Sequence, residues 1–86
     1  MINEYLFDAI MQEPKGENKR IAVNIAFLQG MEIDVELLQN EDSTLYYQVS
    51  KDKLIENEKI EPSDILALRQ CGWELSQNKK YLRLYL

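Results

Sequence analysis

Arg20-Ile21-Ala22-Val23-Asn24-Ile25-Ala26-Phe27-Leu28-Gln29-Gly30 is the stretch on which the fold turns, because it satisfies two periodicities at once. As a strand it sets Ile21, Val23, Ile25 and Phe27 on one face and Ala22, Asn24 and Ala26 on the other. As a helix it aligns Ile21, Ile25 and Leu28 in a stripe, with Gly30 as the stop. The next segment favours the strand. Met31, Ile33, Val35 and Leu37 alternate with Glu32, Asp34 and Glu36, a pattern that calls for a neighbouring strand, and Gln29-Gly30 supplies a tight connection. Gln39 to Ser43 is a polar turn, and Thr44-Leu45-Tyr46-Tyr47-Gln48-Val49 is rich in aromatic and β-branched types. Three consecutive strands then make an antiparallel meander with one polar face.

Helices are expected on either side. Ile2, Leu6, Ala9 and Ile10 form a stripe over 2–12, Asn3 caps its start, and Pro14 ends it. Residues 51–60 carry no clear period, and Leu54, Ile55 and Ile60 could anchor a short strand or an ordered loop. Further on, Pro62 sits where a helix starts, with Ser63 or Asp64 able to satisfy its first free amides. Ile65 and Leu68 form its inner face. Gly72 falls at the left-handed stop position, which makes Trp73 the residue that folds back onto Leu68. A closing hairpin follows, turning at Gln77-Asn78-Lys79. It sets Leu82, Leu84 and Leu86 on one face and Tyr81, Arg83 and Tyr85 on the other. The fold class is therefore α+β: an N-terminal helix, a three-stranded meander, a second helix and a C-terminal hairpin. The chain of 86 residues suits one domain spanning 1–86, and its 45% hydrophobic content argues against intrinsic disorder.

Composition removes most chemistries. There is no histidine, so no Ser–His or Cys–His pair can form. Three glycines are too few for a phosphate loop or dinucleotide fingerprint. The single Cys71 has no disulfide partner and no zinc-type cluster around it, and it reads as core packing. No enzyme activity and no cofactor are expected. The apolar runs are at most four residues, Ile25–Leu28 and Ile65–Leu68, well short of the ~20 that span a membrane. The first residues lack the basic and apolar regions of a signal peptide, so a cytoplasmic location without membrane association is expected.

The net charge of −5 argues against direct nucleic-acid binding. Residues 21–50 hold no Lys or Arg, yet they contain Glu32, Asp34 and Glu36 on one strand face. Such a face is either plain solvated surface or an acidic patch that steers a cationic partner. One form of the latter is an inhibitor that occupies a nucleic-acid-binding cleft. A divalent metal held by the same three carboxylates is the alternative. The Tyr81-Arg83-Tyr85 face is the second candidate, since Tyr and Arg favour protein contacts. An edge strand at the end of the sequence would also suit pairing with a second copy. The expected partner is therefore a protein or another copy of this chain.

Overall fold

The computed structural model describes residues 2–86. Its elements are α1 (Glu4–Ile10), α2 (Ile21–Gly30), β1 (Glu36–Gln39), β2 (Leu45–Ser50), α3 (Lys51–Glu56), α4 (Pro62–Gln70), β3 (Glu74–Leu75) and β4 (Tyr81–Tyr85). The strands form one antiparallel sheet in the order β1-β2-β4-β3. The α+β class holds, but the arrangement differs from a meander plus a separate hairpin. Two hairpins, β1–β2 and β3–β4, join through the β2–β4 pair. As a result β4 is an inner strand, and it is not the free edge that self-pairing would need.

The main correction is at residues 21–30, which are helical. Asn24 is accommodated by the helical period. It is buried, and its Nδ2 donates to the Lys19 and Arg20 carbonyls at 2.6 and 2.8 Å, contacts that link successive turns at the helix start. As an interior strand residue, its amide would need such partners from another segment.

The exit from α2 explains why Met31–Val35 imitates a strand. The Ile33 amide donates to the Leu28 carbonyl at 2.9 Å, and the Glu32 amide to Gln29 at 3.0 Å, with Glu32 at φ 62°. This is a Schellman ending, with Leu28 and Ile33 as its buried apolar pair. The stop is thus Glu32 and not Gly30. Met31, Ile33 and Val35 do point inward, but pairing begins only at Glu36. Leu37, expected in the core, is 53% exposed because the core side of the sheet runs out at its β1 edge.

α4 ends in the same way, as the sequence predicts. The Trp73 amide donates to Leu68 and the Gly72 amide to Arg69, at 3.1 and 3.0 Å, with Gly72 at φ 104°. Trp73 is fully buried, and its indole Nε1–H has no acceptor among the described residues. That orphan costs about 1–3 kcal/mol. Burying the ring returns ~4–6 kcal/mol, so apolar burial wins. At its start, α4 is preceded by Glu61, whose amide donates to Asp64 at 2.8 Å, and Pro62 takes the first helical position. Over its far end passes the 13–16 loop. The Arg69 Nε donates to the Glu13 carbonyl at 2.8 Å, and the Gly16 amide to the Arg69 carbonyl at 3.3 Å. A Cβ on Gly16 would lie 1.5 Å from the Gln70 carbonyl oxygen, so only glycine fits there.

Of the predicted α1 stripe, Ile2 is buried and Ile10 packs against the core. Phe7 and Met11 are buried, while Leu6 and Ala9 are exposed. The larger pair, four residues apart, takes the contact with the rest of the core. Asn3 caps the helix as predicted, accepting from the Leu6 amide at 2.8 Å. Lys51 reaches α1 from the start of α3. Its Nζ lies 2.8 Å from Asp8 and 5.7 Å from the Phe7 ring centre, and the residue is only 3% exposed. The β1–β2 turn is tied by Asn40 and Asp42, both accepting from the Thr44 amide at 3.0 Å. The Thr44 hydroxyl, and then its amide, hold the Asp42 carboxyl below its ordinary value. That stabilising contact is complete above the ordinary carboxylate pKa and is lost as pH falls through the lowered folded value.

All four helices lie on the face of the sheet that carries Val49, Leu82 and Leu84, and together they enclose the core. Thermal melts test the two matched helix endings. Gly72→Ala is expected to cost about 1–3 kcal/mol, and Glu32→Gly to gain about 1 kcal/mol, because only the first forces a side chain into the left-handed region. Equal signs would contradict this account. Asp8→Ala is expected to cost about 2–3 kcal/mol in a denaturant titration. That is below the range for a fully buried pair, because the Asp8 side chain stays 26% exposed.

Candidate functional site

The register of the sheet defines its outer face. Tyr46 pairs with Tyr85, Gln48 with Arg83 and Ser50 with Tyr81 across β2 and β4. Glu36 on β1 pairs with Gln48, and Glu74 on β3 pairs with Arg83. Because facing residues in an antiparallel pair share a side, these groups all point away from the helices. None of them belongs to the hydrophobic core or packs against it. Tyr47 points the other way, opposite Leu84 and against the core. The two neighbouring tyrosines therefore divide between the faces, as strand alternation requires.

Arg83 sits at the centre. Its Nε donates to the Gln48 Oε1 at 2.8 Å, and its guanidinium carbon lies 5.0 Å from the Tyr46 ring centre and 5.9 Å from that of Tyr81. Tyr46 and Tyr85 rings meet at 5.3 Å with a 40° tilt. No carboxylate among the described residues pairs with Arg83. Its cross-strand neighbour Glu74 binds Lys15 at 2.6 Å instead. The arginine is therefore held by rings and an amide, which orient it without neutralising it.

The acidic segment borders this face. Glu32, Asp34 and Glu36 line a concavity of ≈ 380 Å³ together with Ser50, Lys53 and Tyr81. The two sequence-level candidates thus converge at Tyr81. They do not converge as a strand row, since only Glu36 is on a strand: Glu32 occupies the left-handed stop of α2, and Asp34 lies between the two elements. Among the described residues, no three carboxylate or thiol groups gather closely enough to hold a metal ion.

Sequence reasoning over residues 81–85 and 32–36 misses Gln48, Ser50 and Lys53. Tyr46 was visible as an aromatic neighbour, but its place beside Tyr85 follows from cross-strand register alone. Compared with known protein families, characterised proteins and solved structures, the chain finds no match.

A double-mutant cycle of Arg83→Met and Tyr46→Leu, read by denaturant unfolding, is expected to give a coupling of about 0.5–1 kcal/mol. Additive losses would show that the stacking carries no energy.

Proposed function

We propose that this protein is a small, acidic, non-enzymatic binding protein, an adaptor or inhibitor whose partner presents a cationic protein surface. The observation that carries this reading is the continuity between the uncovered Tyr46-Tyr81-Arg83-Tyr85 face and the Glu32-Asp34-Glu36 concavity at Tyr81.

Three physical features support it. Tyrosines and an arginine already held by neighbours bury area at small entropic cost. The nearby carboxylates attract Lys and Arg side chains, and a −5 chain speeds encounter with a basic partner. The opposite face of the sheet is filled with Val49, Leu82 and Leu84, so the outer side chains are not needed to build the core. A solvated sheet face with no partner is the plain alternative.

Binding to peptides of matched length but positive, neutral or negative charge tests the proposal. Cationic peptides are expected to bind, with affinity falling as salt rises. Tyr85→Glu and Glu36→Lys should each weaken binding about tenfold or more while leaving the melting temperature nearly unchanged. Equal binding of all three peptides, or variants that bind like the wild type, would refute the reading.

A further inference from the structure

We infer that the outward face of α2 is a homodimer interface, on which two copies pack antiparallel about a two-fold axis with their helices crossing between Ile25 and Ala26. α2 has ten residues and no charged side chain. Its polar side chains are the buried Asn24 and the exposed Gln29, and a helix this apolar is normally covered on most sides. Here Ala22, Val23, Ala26 and Gly30 are exposed, Val23 at 65%. Beside them, Val23, Phe27, Ala67 and Cys71 line a mostly apolar groove of ≈ 240 Å³ between α2 and α4, to which Arg20 and Asp64 also contribute.

Charge selects a second copy as the occupant. The uncharged face is bounded by Arg20 at one end and Glu32 at the other, and neither makes an ion pair among the described residues. A two-fold interface must be complementary to itself. Antiparallel packing supplies this: Arg20 of each copy comes beside Glu32 and the carbonyl end of α2 in the other, where a cation is favoured. The same crossing brings Val23 of each copy onto Phe27 at the rim of the groove. Chains of net charge −5 repel one another, and residues 21–31 offer a contact without like charges. The sheet face bearing Tyr46, Tyr81 and Tyr85 stays outside this interface, which shares only Glu32 with the acidic concavity.

Sedimentation equilibrium from micromolar to millimolar concentration tests it. The wild type is expected to approach twice the 10.2 kDa chain mass. Ala26→Asp is expected to be monomeric. Arg20→Glu changes an exposed residue outside the core and should raise the dissociation constant about tenfold. Adding Glu32→Arg to Arg20→Glu should restore the dimer, and Tyr85→Glu should leave it unchanged. A monomeric wild type overturns the inference. So does a dimer that survives both Ala26→Asp and Arg20→Glu, or one that Tyr85→Glu dissolves.

Discussion

Both longer helices must satisfy their last carbonyls, and both do so by reversing the chain through a left-handed residue. At Glu32 and at Gly72 the backbone turns back, and the following apolar side chain lands on the helix it has just left. Ile33 meets Leu28 and Trp73 meets Leu68, and all four are buried. These two reversals set the direction in which the chain enters the sheet, β1 after the first and β3 after the second. The second also holds the 13–16 loop, because Arg69 reaches Glu13 and Gly16 passes against the end of α4. The core is thus assembled around two helix endings.

A consequence of this assembly is that the helices occupy one face of the sheet and leave the other uncovered. The outer face then has to be stable without a hydrophobic layer above it. Its side chains manage this by packing on one another: Arg83 bridges Tyr46 and Tyr81, Gln48 accepts from Arg83, and Tyr85 leans on Tyr46. Cross-strand contacts of this kind stabilise a sheet modestly and also hold polar groups in place before any partner arrives. The buried Lys51 works on the other side, tying α1 to the start of α3 through Asp8. It contributes order to the helical layer at a desolvation cost that the carboxylate offsets.

Much of the local structure was legible. Pro62, Gly72 and Trp73 mark the limits of α4, Asn3 marks the start of α1, and the alternation of residues 81–85 divides β4 between two faces. The spacing of residues 21–30 fits both periods, and the stop of the helix is a glutamate, where glycine is the usual signal, so local pattern favours the wrong element there. Residues 51–56 form a helix and not the short strand or loop expected there; six residues are too few to show a period, although Ser50 caps the helix by accepting from the Lys53 amide. At the candidate site, Tyr81, Arg83, Tyr85 and the three acids were visible as separate groups.

The sequence by itself determined the class of fold, the two-faced character of β4 and the absence of histidine chemistry, because each follows from residue type and short-range spacing. The tertiary structure alone decided that α2 is a helix, that β4 is an inner strand, and that Tyr46 and Gln48 join Arg83 while the acidic segment closes on Tyr81. Those outcomes depend on which distant segments pair and which faces become buried. Their energy comes from contacts between residues tens of positions apart, and such contacts leave no local period in the chain.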